Sequence, residues 1–280
     1  MIKLGIFGDQ TTNTELLHQL KMMPDVEVAG VFFSGNAVIP DGFAELLSPT
    51  VLMDISDAIL ILSDISISND LVRLILRKSK HVYLKTMPNF HISEIKELID
   101  LEKEAGIVTF IYNPFNYIPY LDPFINKYEK PLLINLRTGF EGEIIKPSHE
   151  MLLLVTALNR VVQSNYKKID VFGQNPSGEN LVLNLRVEYN NGSVINLTIS
   201  QERLPGHCEI FDQKGNHNFE FKTPLYISYH YLNQEFTAIN NFVRHIKNKD
   251  KKANTFDNLL NGVQIVHEIR EHLRFNGIVF

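Results

Sequence analysis

Cys208 is the only cysteine in the 280 residues, so no intrachain disulfide can form, and a reducing cytoplasm is the expected setting. In that setting the sequons Asn191-Gly-Ser193 and Asn196-Leu-Thr198 are chance matches. No run approaches the ~20 consecutive apolar residues that a bilayer span requires. The longest candidate, Met151 to Leu158, is far too short. A basic segment followed by an apolar stretch and a small-residue cleavage site is also missing at the N-terminus, so no export signal is expected. Positive charge is not in excess: the net charge of −5 argues against a nucleic-acid surface, and no membrane partner is expected. The basic stretch Lys247–Lys252 is short, contains Asp250, and reads as a solvated loop. There is no Walker turn, serine nucleophile elbow or kinase signature.

Metal-ligand spacing is missing too. His267 and His272 are five residues apart, which on a helix separates them by roughly 140°, whereas a zinc helix needs four. His207-Cys208 has no second pair at ligand spacing, so no metal is expected. Cys208 itself falls in a predicted strand, as a small apolar residue rather than a nucleophile.

What is present is a large apolar share, 44%, enough for one large domain or two ordinary ones. The first part alternates short apolar runs with helical patterns, which points to a parallel sheet of βαβ units. Strands are predicted at Ile2–Phe7, Val26–Phe33, Ala58–Leu62, His81–Leu84 and Val108–Tyr112. Helices are predicted at Thr14–Met22, Asn69–Lys78 and Ile92–Ala105, the last with an acidic first turn after Ser93 and a stop at Gly106. The prolines and asparagines of Asn113-Pro-Phe-Asn-Tyr-Ile-Pro-Tyr mark a crossover.

Longer strands follow: Leu132–Thr138, Lys168–Phe172, Leu181–Tyr189, Ser193–Gln201, Cys208–Asp212 and Asn218–Phe221. Asn190-Asn191-Gly192 is a hairpin signal because Asn and Gly tolerate positive φ. Helices are predicted at His149–Gln163, Tyr231–Ile246 and Phe256–Phe275. The expected fold is therefore α/β: a Rossmann-like, doubly wound parallel sheet over residues 1–115. An α+β domain with a mainly antiparallel open sheet is expected over residues 116–280.

Three stretches carry a resemblance. "IKLGIFG" looks like an opening dinucleotide-fold strand. Asp57 to Pro88, "DAILILSDISISNDLVRLILRKSKHVYLKTMP", follows a strand–helix–strand layout, and "YLNQEFTAINNFVRHI" with "FDNLLNGVQIVHEIREHL" forms a closing helix pair. In these, and in element order over nearly the whole chain, the sequence resembles the glucose–fructose oxidoreductase / inositol dehydrogenase (Gfo/Idh/MocA) family. The resemblance implies NAD or NADP as cofactor and a sugar, cyclitol or similar small polyol as substrate. It also implies a homo-oligomer built through the second-domain sheet. There "LVLNLRVEY" and "SVINLTIS" carry enough apolar residues, taken as lying on both faces, to need a cover.

Carried onto this chain, the resemblance puts cofactor contacts at Gly8, Gln10, Thr11, Ser34 and Ser63, and proton-transfer roles at Lys85 and His149. The residues at those positions depart from the family pattern. Of the G-x-G-x-x-G turn only Gly8 remains; Gln10 and Asn13 put side chains where the cofactor would pass. Asp9 brings a negative charge beside the phosphates, or caps the helix. The second strand ends Val31-Phe32-Phe33-Ser34, without the acid that holds the ribose; Phe33 stacks on adenine or belongs to the core.

Ser63 retains a hydroxyl, but Asp64 adds a second acid. The Glu-Lys-Pro step is displaced, with Lys85 one residue early and Pro88 one late, so Lys85 either relays a proton through a bulge or is solvated or ion-paired. Of the Asp-x-x-x-His relay only His149 survives, with Ile145 and Leu152 at the carboxylate positions. It acts as general base or stands in a helix-capping region. So many departures together favour a non-catalytic sensor, partner or assembly subunit, with a divergent NAD(P)-dependent oxidoreductase as the alternative.

Overall fold

The apolar runs of the N-terminal part form a five-stranded, all-parallel sheet in the order β2-β1-β3-β4-β5. Its strands are β1 (Ile2–Gly8), β2 (Val26–Phe33), β3 (Ala58–Ile61), β4 (His81–Leu84) and β5 (Thr109–Ile111). The structure is a computed structural model that describes residues 1–34, 39–63, 67–117, 128–139, 147–174, 182–200, 206–221, 231–249 and 256–276. Asp64, Ile145 and the basic loop from residue 250 therefore lie outside the described residues.

Every residue of β3 is buried, as expected for a central strand of a parallel sheet covered on both faces. Helices α1 (Thr14–Lys21), α3 (Asn69–Arg77) and α4 (Ile92–Ala105) connect the strands. On α3 the buried residues Val72, Ile75 and Leu76 form one stripe, and on α4 Ile95, Leu98, Ile99 and Glu102 do the same. The α4 helix stops at Gly106, whose φ of 67° is left-handed. It is capped by His91 rather than near Ser93, with Glu94 reaching back to the His91 amide at 2.7 Å. A further helix, α2 (Pro49–Ile55), was not anticipated: its seven residues are too few to show a 3.6 period.

The second sheet has six strands in the order β11-β10-β6-β9-β8-β7, mixed and mostly antiparallel. They are β6 (Leu133–Gly139), β7 (Tyr166–Gln174), β8 (Val182–Tyr189), β9 (Val194–Ser200), β10 (Gly206–Asp212) and β11 (Gly215–Phe221); only β6 and β9 pair in parallel. The β8–β9 hairpin turns where expected. Gly192, at φ 82°, lets its amide reach the Tyr189 carbonyl at 3.0 Å. Helix α5 (Pro147–Val162) joins β8 through Tyr189 Oη, which donates to Asn159 Oδ1 at 2.5 Å.

The apolar side chains of this sheet lie on both faces, though unequally: Leu133, Phe172, Val182, Val194 and Phe211 are on the outward one. In β8, Leu183, Leu185, Val187 and Tyr189 are buried while Asn184 and Arg186 are exposed, and β9 alternates in phase with Ile195, Leu197 and Ile199 buried. The outward face also carries cross-linked polar side chains. Asn196 donates to Asn135 at 2.9 Å, Thr198 to Asn184 at 2.8 Å, and Arg186 to Glu188 at 3.2 Å. Strict period-two alternation, rather than composition, decides which side chains face outward.

Helices α6 (Tyr231–Asn248) and α7 (Phe256–Phe275) close the chain. By contacts, residues 1–113 group with 230–260, and residues 114–229 with 261–280. A single cut after residue 115 would instead assign all of α6 to the second half. The reason is geometric. In the first unit α2 packs on β1 and β2 and α3 on α4, while α1 packs against α6. Tyr83 of β4 and Phe110 of β5 need a cover, and Phe242 of α6 supplies it with ring centroids at 5.9 and 6.1 Å.

Candidate functional site at the carboxyl edge of the first sheet

Strand order reverses between β1 and β3, and a crevice outside the carboxyl ends of parallel strands at such a point is where an α/β sheet takes its ligand. Four side chains gather there: Asp9 directly after β1, Ser63 after β3, Lys85 directly after β4, and Glu235 from α6. Asp9 and Glu235 are 2% and 5% exposed, so two carboxylates lie essentially out of water, where only pairing or hydrogen bonds make them tolerable.

Asp9 does not cap α1; that alternative is corrected. Asn13 is the cap, its Oδ1 accepting from the amides of Glu15 at 2.8 Å and Leu16 at 3.4 Å. Asp9 instead folds back into its own turn. Its Oδ1 accepts from the Thr11 amide at 2.7 Å and from the Thr11 hydroxyl at 2.5 Å, and its Oδ2 accepts from the Ser63 hydroxyl across the switch point. The Asp9 amide donates to Thr12 Oγ1 at 2.9 Å, and the Thr12 amide returns to the Asp9 carbonyl at 3.0 Å. Burial pushes the Asp9 carboxyl up, but the bonds from Ser63 and Thr11 and the nearby Lys85 charge outweigh it and hold the group below the usual carboxylate value. It is ionised at neutral pH.

Lys85 takes the ion-paired alternative. Its ammonium stands 4.0 Å from Glu235 Oε2 and is 17% exposed, and its amide continues the sheet by donating to the Ile61 carbonyl at 2.9 Å. Glu235 escaped the sequence reading although a signal existed. It occupies the apolar stripe of α6, in register with Ala238, Ile239 and Phe242, all of them buried. An acid on a core stripe demands a cationic or donor partner, and Lys85 is that partner.

The other named residues are placed as follows. Gly8 is needed for close approach: a Cβ there would lie 2.5 Å from the Phe33 ring and 2.6 Å from Thr12 Oγ1. Phe33 therefore packs over the turn. Ser34 is exposed, and its amide donates to the Gly8 carbonyl at 2.9 Å. Gln10 and Thr11 are exposed at the turn's rim. His149 belongs to the second unit, exposed in the first turn of α5, with Leu152 buried one turn on. The first unit brings together Ser63, Thr11, Gly8 and Lys85 around Asp9. Cys208 is buried in β10, and burial pushes its thiol up to about 12, which leaves it unreactive. Among the described residues no three His, Cys, Asp or Glu side chains are grouped to hold a metal, and no helix is long and apolar enough to cross a membrane.

A dinucleotide is held in this kind of crevice by turn amides and by the N-terminus of the first helix. Here the turn amides of Asp9, Thr11 and Thr12 bond within the turn, and those of Glu15 and Leu16 bond to Asn13. An ionised carboxylate lies in the turn after β1, and β2 ends in a phenylalanine.

No protein-family profile and no curated protein sequence matches this chain. Solved structures do. A probable dehydrogenase from Thermotoga maritima superposes with a TM-score of 0.77 at 12% identity over 98% of this chain and 97% of its own. UDP-N-acetylglucosamine 3-dehydrogenase GnnA from Acidithiobacillus ferrooxidans gives 0.68 at 14% identity, over 96% of each chain. GenD2 from gentamicin A biosynthesis, solved in complex with NAD, gives 0.69 at 11% identity, over 97% of this chain and 94% of its own. At such identities the likeness establishes the fold alone, which this chain shares with these dehydrogenases over nearly its whole length.

Proposed function

With the dehydrogenase architecture as the premise, we propose that this protein is a non-catalytic member of that fold, serving as a sensor, partner or assembly subunit rather than turning over a nicotinamide substrate. The observation that carries this reading is the Asp9 carboxylate, bonded to the Thr11 amide and the Ser63 hydroxyl at the place where a cofactor's phosphates would be received. A second anion at that point meets a buried like charge, and the Coulomb cost between charges ~4 Å apart grows as water is excluded.

Two surfaces support such a role. The rim of the turn after β1, where Gln10, Thr11 and Ser34 are exposed, offers polar side chains to a small polar molecule such as a sugar. The outward face of the second sheet offers hydrogen-bonding side chains, Arg186, Asn196, Asn135 and Glu209 among them, together with the exposed apolar residues Leu133 and Phe172, the latter 58% exposed. A second copy of the chain is the proposed occupant of that face, in a cytoplasmic homo-oligomer.

The test is titration of NADH and NADPH against the purified protein, read by nucleotide fluorescence. No saturable binding is expected up to millimolar nucleotide. Micromolar binding would overturn the reading in favour of a divergent NAD(P)-dependent oxidoreductase acting on a sugar, cyclitol or similar polyol. In that case Lys85 and His149 become the residues to substitute first.

A further inference from the structure

We propose that the turn after β1 is an anion site whose resident anion is the protein's own Asp9. Three donors converge on that carboxylate, the Thr11 amide at 2.7 Å, the Thr11 hydroxyl at 2.5 Å and the Ser63 hydroxyl, and the Lys85 charge lies near enough to favour its ionised form. These groups come from three different strand ends, after β1, β3 and β4, so the site is assembled by the sheet and is not a product of one loop. Groups of this kind, one main-chain amide with hydroxyls and an ammonium, also bind small carboxylates and phosphate.

The occupant is fixed covalently to the site and 2% exposed, so it cannot be diluted away. Its neighbours are arranged to keep it. Phe33 packs on Gly8, and Thr12 ties the Asp9 amide, so the backbone has little room to swing the carboxylate out. Among the described residues two charged groups face the site besides Asp9: Lys85, and through it Glu235 on α6.

The inference rests on the reading above and deepens it, because it names what fills the place of a cofactor's phosphates. It makes a prediction that the absence of nucleotide binding does not. Deleting the carboxylate should create a vacant site for a small external oxyanion.

The experiment is chemical rescue of Asp9→Ala. Thermal unfolding of the full chain is followed in sodium formate, acetate or phosphate against sodium chloride at equal ionic strength. The variant is expected to unfold about 5 °C below the unmodified chain in chloride, a shift of the size that follows from losing one buried charged hydrogen-bond acceptor. Formate should recover at least half of that loss with a saturating dose dependence, as linkage to a native-state ligand requires. The unmodified chain, its site already filled, should show no formate-specific shift. An Asp9→Ala protein that folds and responds to formate no more than to chloride overturns the proposal.

Should Asp9→Ala fail to fold, Ser63→Ala carries the test with Asp9 in place. Removing that donor should raise the pH at which the Asp9 carboxyl carbon titrates by NMR, and an unchanged titration overturns the proposal. The two readings fail separately. NADH binding by the unmodified chain with formate rescue intact sinks only the non-catalytic role. No rescue together with no NADH binding sinks only this inference.

Discussion

At the scale of single residues, a buried carboxylate is stable only where donors meet it, and Asp9 has gathered donors from its own turn and from Ser63. This has a pH consequence with a definite sign. The folded Asp9 carboxyl titrates below its unfolded value of 3.8, so the stabilisation it contributes is complete above that value and is lost as pH falls through the lower, folded one. Asp9→Asn keeps the shape but turns one acceptor into a donor that faces another donor. It is expected to cost about 1–3 kcal/mol at pH 7, with the gap to the unmodified protein closing below about pH 3.8; urea unfolding across pH checks this. Glu102 behaves oppositely. Burial raises its carboxyl above the usual value, and bonds from the Thr109 hydroxyl at 2.6 Å and the Phe256 amide only partly offset that. Its contribution is therefore present below its unfolded value of 4.5 and lost as pH rises through the higher, folded one. Glu102→Gln should leave Tm unchanged near pH 4 and raise it relative to the unmodified protein at pH 7.

At the scale of elements, two close approaches hold strand, turn and helix together. The end of β1 can pass beneath Phe33 of β2 only because residue 8 has no Cβ. Gly8→Ala should destabilise by about 1–3 kcal/mol through overpacking. The pair Gly8→Ala with Phe33→Ala should recover part of the loss left by Phe33→Ala alone, which a double-mutant cycle by chemical denaturation would show. In the second unit Gly262 of α7 meets Thr156 of α5, where an added Cβ would lie 2.4 Å from Thr156 Oγ1. That hydroxyl is committed to the Leu152 carbonyl at 2.6 Å, so it cannot simply rotate away. Gly262→Val should lower Tm and Gly262→Ala should lower it less, a graded response that a loop glycine would not show.

At the scale of the whole molecule, the first sheet is not closed by the segment that builds it. Phe242 of α6 covers Tyr83 and Phe110, and Ala238, Ile239 and Val243 of the same helix are buried with it. Phe242→Ala should therefore cost about 3–5 kcal/mol although the residue lies far down the chain from the strands it covers. A fragment of residues 1–115 should expose that apolar face, bind a hydrophobic dye and unfold without cooperativity. If the fragment unfolded with a sharp transition, α6 would not be part of this unit's core. The outward face of the second sheet, with its cross-strand polar pairs, is the proposed contact between copies of the chain. Arg186→Glu should reverse a charge on that face and shift the mass measured by light scattering toward the monomer.

Local pattern alone determined a good deal of this protein. The strands Val26–Phe33 and His81–Leu84 and the helices Ile92–Ala105 and Phe256–Phe275 lie where periodicity and capping put them, because those signals act within a few residues. Three things were decided only by tertiary approach. Asp9 turned inward to Thr11 and Ser63 instead of capping α1; Glu235 came from the last third of the chain to face Lys85; and α6 went to the first sheet. Each depends on groups distant in sequence meeting out of water, where the energy of a charge or an uncovered ring is set by its spatial neighbours, and no local period encodes who those neighbours are.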